Sequence, residues 1–128
     1  MVFELTDVSL LQSGALIGGK VCESISGSRV DVIDPATSEI IGSVPEMNGE
    51  DTQKAIAGAE TALAEWRTTP AKVRCKRLQA WHRYVIDSTE DLAKLITAEC
   101  GKPLSESRGE VAYAASFLEW YAEEAKRA

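Results

Sequence analysis

Hydrophobic and polar positions change rhythm once along this chain, near Asn48. Before that point, short apolar stretches are broken by turn residues. Leu16-Ile17 and Lys20-Val21 flank Gly18-Gly19, and paired glycines reach the positive φ angles that a two-residue hairpin turn needs. Gly27-Ser28 marks a second turn. Arg29 to Asp34 alternates, with Val30 and Val32 on one face. Pro35 to Glu39 makes the next turn, and Ile40 to Val44 is the returning strand, stopped by Pro45. The pattern predicts hairpins over residues 15–47, preceded by an irregular arm over residues 1–14. Two short hairpins bury little alone and need a helix or another sheet to lean on.

Over residues 48–128 the apolar spacing is helical, and four helices are predicted. Asn48 can cap the first, with Glu50 and Asp51 at its positive end and Ile56, Ala59, Leu63 and Trp66 on one stripe. Thr69 then Pro70 reads as a cap followed by a first-turn proline, opening a second helix with the stripe Leu78, Trp81 and Val85. Ser88 with Asp91 resembles a capping box and opens a third along Leu92, Leu95, Ile96 and Glu99, with Gly101 as its stop and Pro103 barring continuation. The fourth runs from about Leu104 to the end, with Val111, Ala115, Leu118 and Ala122 inward and Gly109 inside it. The fold class from residues alone is α+β: two short β-hairpins, then about four helices.

The 128 residues suffice for one domain and one modest core, and 45% hydrophobic with 27% charged is an ordinary globular balance. A net charge of -6 argues against nucleic acid and anionic membranes as partners. Lys72, Arg74, Lys76 and Arg77 form the one basic cluster, read as a solvated helix face without interleaved aromatics. No apolar run is long enough to span a bilayer, and neither a signal peptide nor a transit peptide is visible, so a cytoplasmic chain or a processed mature mitochondrial form is expected.

Candidate chemistry is sparse. Cys22, Cys75 and Cys100 are an odd, scattered set without metal-ligand spacing, which fits a reducing compartment. Cys100 ends a predicted helix, where the dipole opposes a thiolate, so it reads as a structural thiol. Basic neighbours of Cys75 hint at reactivity but form no catalytic motif. His82 is a lone histidine without a carboxylate at helical spacing. Trp66 and Trp81 lie on apolar stripes and read as packing residues, whereas Trp120 lies off its stripe. Glu106, Glu110, Glu119, Glu123 and Glu124 read as a solvated face. No dinucleotide fingerprint, phosphate loop, zinc motif or serine-hydrolase elbow occurs. Catalytic, cofactor-binding and metal residues are therefore all expected to be absent from this chain.

Longer strings say more. Ala15-Leu16-Ile17-Gly18-Gly19-Lys20, Val32 through Pro45, and Ala55-Ile56 through Trp66 resemble successive amino-terminal landmarks of the aldehyde dehydrogenase family. Gly101-Lys102-Pro103 with Glu106 and Gly109-Glu110 is similar to the family's strongest landmark in this region. Tyr113 through Glu124 resembles the succinate-semialdehyde dehydrogenase branch. The resemblance runs from about Leu10 to Ala128, in order. It implies a segment of an α/β Rossmann-like cofactor domain whose hairpins and helices buttress the rest.

The family's reaction is NAD(P)-dependent oxidation of an aldehyde to an acid, by a cysteine thiolate, an oxyanion site, hydride transfer and a glutamate-activated water. The residues in those roles lie further along the family's chain, so no role of theirs can be carried onto this one. The last helix is expected beside the aldehyde tunnel, with Tyr113, Phe117 and Trp120 approaching its wall. The ending Glu123-Glu124-Ala125-Lys126-Arg127-Ala128 has no helix stop and, with the resemblance, reads as a truncation. The expected function is that of an amino-terminal fragment, inactive alone, of an enzyme oxidising succinate semialdehyde to succinate. The alternatives are a truncated non-enzymatic paralogue binding a full-length dehydrogenase subunit, and an independent regulatory module. A small aldehyde and a homo-oligomer are the partners implied for the parent.

Overall fold

Two antiparallel hairpins followed by four helices make up the computed structural model, which describes residues 4–127; residues 1–3 of the predicted arm and Ala128 lie outside the described residues. The chain divides into two compact units. One is Leu11–Thr68; the other joins the described residues up to Leu10 with those from Thr69 onward.

In the first unit, β1 (Ala15–Ile17) pairs with β2 (Lys20–Cys22), Ala15 opposite Cys22 and Ile17 opposite Lys20. Gly18 and Gly19 turn the hairpin at φ +57 and +77, as their pairing predicts. β3 (Arg29–Ile33) pairs with β4 (Ile40–Pro45), with an irregularity between Val32 and Ile33. Pro45 does not stop the strand but ends it, opposite Arg29. Its missing N–H is not needed there, because the next residue, Glu46, donates to the Ser28 carbonyl at 2.8 Å. Between the strands, the buried Asp34 carboxylate accepts the Ala36 N–H at 2.8 Å, and Ser38 is held at φ 62, a left-handed conformation for a residue with a Cβ. Arg29 laces the hairpins: its guanidinium donates to the carbonyls of Ser13 and Ser43, each at 2.7 Å, and pairs with Glu23.

α1 (Gly49–Trp66) begins where the rhythm of the sequence changes. Asn48 Oδ1 accepts the N–H groups of Glu50 (2.8 Å) and Asp51 (3.1 Å), and Asp51 accepts the Asn48 N–H in return. The same Asp51 carboxylate, 2% exposed, also accepts the Ile25 N–H at 3.1 Å and the Ser24 hydroxyl at 3.3 Å. One side chain therefore caps the helix and pins the loop between β2 and β3. The Asn48 backbone N–H, then those of Ile25 and the Ser24 hydroxyl, hold its carboxyl below the ordinary value of 3.8 against an opposing effect of burial. The predicted α1 stripe is not covered: Ile56 and Leu63 are each 54% exposed, and Ala59 is exposed too. α1 instead meets β1 near Gly58, where an added Cβ would lie 3.7 Å from the Gly18 nitrogen. A glycine contact brings backbone close to backbone and leaves the bulkier stripe at the surface.

In the second unit, α4 (Leu104–Glu124) packs along both α2 (Ala71–Asp87) and α3 (Thr89–Cys100). Pro70, not Thr69, holds the cap position of α2, because its ψ of 140 is extended; its carbonyl accepts the N–H groups of Val73 and Arg74. Cys75 is buried and Leu78 and Val85 are half-buried, but Trp81 is 59% exposed. Six residues on from Cys75, Trp81 stands about 120° away around the helix.

The predicted Ser88–Asp91 capping box does not form. Ser88 ends α2 and starts α3 with φ -97 and ψ 10, too near helical for its hydroxyl to cap. Asp91 faces the arm instead, accepting the N–H groups of Thr6 (3.0 Å) and Asp7 (2.8 Å). Lys94 adds a hydrogen bond to the Glu4 carbonyl at 2.7 Å. The described part of the arm is thus tied down, with a short 3-10 turn at Val8–Leu10. The buried residues of α3 are Asp91, Ala93, Leu95 and Ala98, and Glu99, placed on the stripe by sequence, is exposed. Gly101 closes α3 at φ 74, as predicted.

Three outcomes follow from these contacts. Asn48→Ala should destabilise the protein by about 1 kcal/mol in urea melts. Ser38→Gly should stabilise it by about 1 kcal/mol, relieving the left-handed strain. The Thr6 and Asp7 N–H groups hold the Asp91 carboxyl below its ordinary 3.8. Its contribution is therefore complete above that pH and lost as the pH falls through the lower folded value. Asp91→Asn should be less stable than the parent at pH 7, with the difference shrinking in acid when both are followed by circular dichroism.

Candidate functional site

α4 has two faces of opposite character. Inward lie Ser107, Val111, Ala115 and Ala122, all buried, with Leu118 half-buried. The stripe read from sequence holds, extended one turn by Ser107. Three of these residues are small, which lets α4 lie close to its neighbours. The Ser107 hydroxyl, 0% exposed, is satisfied by Thr97 Oγ1 at 2.8 Å.

Ion pairs fix the start of the helix. Arg108 forks onto Glu90 of α3 at 2.8 and 2.9 Å, and Lys102 pairs with Glu110. The hydrogen bond donated by Arg108 lowers the Glu90 carboxyl from its ordinary value, and the one that Lys102 donates to Glu110 raises the Lys102 ammonium.

The other face carries Tyr113, Phe117, Trp120 and Tyr121, which are 68%, 45%, 64% and 60% exposed. Tyr113 and Phe117 are one turn apart and meet edge to face, with ring centroids 4.9 Å apart at 77°. With Ser116, Arg127 and the carboxylates of Glu119, Glu123 and Glu124, these rings line an open concavity. The structure thus brings together on one ridge the three residues singled out by sequence. Tyr121 is an addition, and its signal was present in the spacing, four residues after Phe117. The ridge holds aromatic carbon and phenol groups, able to wall an apolar ligand but offering no nucleophile paired with a base.

Elsewhere the candidates stand apart. Cys22 is half-buried, Cys75 buried and Cys100 exposed, and all three are free thiols. Arg74 of the basic cluster donates to the Thr69 carbonyl at 2.8 Å, while Lys72 and Lys76 are exposed. Trp66 is 38% exposed. His82 shares a shallow cavity with Gln79 and Arg83 of α2 and with Glu119 and Glu123 of α4. Carboxylates absent at helical spacing from His82 on its own helix line the same cavity from the neighbouring one, which spacing within a helix could not reveal.

Among the described residues no group of three or more His, Cys, Asp or Glu side chains could hold a metal ion. The start of α1 does not fit a dinucleotide phosphate. The first-turn N–H groups of Glu50 and Asp51 in α1 are occupied by Asn48, and those two residues put their carboxylates at the same helix end. No helix is long and apolar enough to cross a membrane.

Comparison with known proteins gives one answer. The profile described as "Aldehyde dehydrogenase family" matches residues 22–128. A glutarate-semialdehyde dehydrogenase of Pseudomonas putida is 47% identical over 97% of this chain, which spans 26% of that protein. The succinate-semialdehyde dehydrogenase GabD of Escherichia coli, named for NADP(+), is 44% identical over 97% of the chain and 26% of its own length. The crystal structure of a succinate-semialdehyde dehydrogenase from Burkholderia pseudomallei superposes with a TM-score of 0.94 at 47% identity, over 98% of this chain and 26% of that one. The chain therefore spans about a quarter of the relatives it matches. Its α+β hairpins and helices have the conformation of the amino-terminal part of such enzymes, and the chain belongs to the aldehyde dehydrogenase family.

Proposed function

We propose that this chain is the amino-terminal segment of an NAD(P)-dependent aldehyde dehydrogenase that oxidises succinate semialdehyde, or a close homologue with a distal acid group, to the corresponding acid. The observation that carries the reading is the 44–47% identity, over 97% of the chain, to enzymes named for succinate and glutarate semialdehydes. The nucleophile, the base and the dinucleotide site belong to the remaining sequence of the parent, and the chain alone is inactive. Its role is structural support plus one wall of the substrate path.

That wall is the α4 ridge. Tyr113, Phe117 and Trp120 stand on the side of the helix away from its packed face. Aromatic rings there would cover the carbon chain of an aldehyde and exclude water without taking part in proton or hydride transfer. The parent is cytoplasmic in this reading and assembles as a homo-oligomer.

A second reading draws on α1. Ile56 and Leu63 stay more than half exposed along its outer face. Such a face suits a non-catalytic chain that docks on a full-length dehydrogenase subunit.

The first measurement is the intact mass of the native polypeptide in its source cells. A product several times the mass of 128 residues supports the enzyme segment; a product of that mass alone, binding tightly to a full-length subunit, supports the second reading. In the full-length enzyme, Tyr113→Ala should raise KM for the semialdehyde about tenfold with little change in kcat. An unchanged KM for every aldehyde tried would remove the ridge from the substrate path.

A further inference from the structure

We infer that Phe117 is a positioning residue that acts through Tyr113, the ring pair forming one unit that sets the fit of the substrate's carbon chain. The inference rests on the ridge reading above and adds a division of labour within it.

Tyr113 is the more exposed of the two, at 68% against 45% for Phe117. An aromatic side chain that far out on a helix has more than one open rotamer. Something must select one if the ring is to measure a ligand. Helical side chains lean toward the N-terminus, so the ring of residue 117 lies over the turn that carries residue 113. The edge-to-face contact at 4.9 Å and 77° is within the favoured geometry for such pairs.

Phe117 in turn sits on a helix with little freedom. The fork from Arg108 to Glu90 and the part-buried Thr97–Ser107 hydroxyl pair anchor α4 on α3, and Ala115 and Ala122 seat it on either side of Phe117. The helix backbone held by these contacts fixes where the Phe117 ring starts, and that ring meets Tyr113 one turn back. A preorganised wall spends no binding energy on freezing Tyr113 when the substrate arrives. The contact between the pair is aromatic carbon on aromatic carbon, which suits the methylene spacer of the substrate, while the charged groups of the concavity stand on other residues.

The test is a set of variants in the full-length enzyme, assayed with four- and five-carbon semialdehydes. Phe117→Leu keeps apolar bulk and helix propensity but removes the ring contact. It should raise KM about threefold to tenfold with kcat unchanged. Phe117→Tyr keeps the ring pair and should restore the parental KM. The double variant Tyr113→Ala/Phe117→Leu should be no worse than Tyr113→Ala alone, because Phe117 then has nothing to position. Phe117→Met, also unbranched and apolar, repeats the comparison if the leucine variant is poorly folded.

Additive effects in the double variant would overturn the inference, since Phe117 would then act on the substrate independently. So would a parental KM in both Phe117→Leu and Phe117→Met when Tyr113→Ala raises it. A parental KM in Tyr113→Ala itself is a different result: it removes the ridge reading on which the inference stands.

Discussion

A buried carboxylate must find hydrogen bonds, and both units of this chain are organised around one that finds them on distant backbone. Asp51 takes the Asn48 N–H beside it and the Ile25 N–H from the loop between the hairpins. Asp91 takes the Thr6 and Asp7 N–H groups from a segment more than eighty residues earlier. Each carboxylate is nearly inaccessible, at 2% and 5% exposure. Each would be costly to bury without these partners, so the loop and the arm are obliged to stay where they are. The acids and the backbone they hold are mutually necessary, which is a stronger constraint on geometry than apolar contact alone.

That constraint matters because apolar burial here is limited. The fully buried hydrophobic residues are mostly small, with Ala93, Ala98, Ala115 and Ala122 prominent, while Leu16, Trp81, Tyr84 and Trp120 are more than half exposed. Small residues bring helices close and give close-packed but modest cores. α4 shows both sides of the arrangement. Its alanine face gives precise docking on α2 and α3, and its aromatic face is thereby free to meet something else. A chain that makes up about a quarter of its relatives has ample reason to keep such faces outward.

Much of the local structure was legible because it depends on neighbours in sequence. Gly18-Gly19 suits a left-handed turn, Asn48 suits the start of a helix, and Gly101 before Pro103 suits its end. The errors cluster where a side chain had two possible partners. Ser88 and Asp91 have the spacing of a capping box, but a near-continuous corner between α2 and α3 left the carboxylate free for the arm. Ile56, Leu63 and Trp81 have core spacing and sit outside, because periodicity identifies a face without identifying what covers it.

The same distinction runs through function. The order of motifs along the chain determined by itself the family and the two-hairpin and four-helix plan. Sequence also put Tyr113, Phe117 and Trp120 off the buried stripe, because helical angle follows from residue number. Only the tertiary structure decided that Tyr113 and Phe117 touch, that His82 shares a cavity with carboxylates of another helix, and that Asp91 binds the arm. The physical reason is range. Turns, caps and helical phase are set by residues within four positions of one another, whereas a buried acid or an exposed ring takes its partner from whatever the fold brings near.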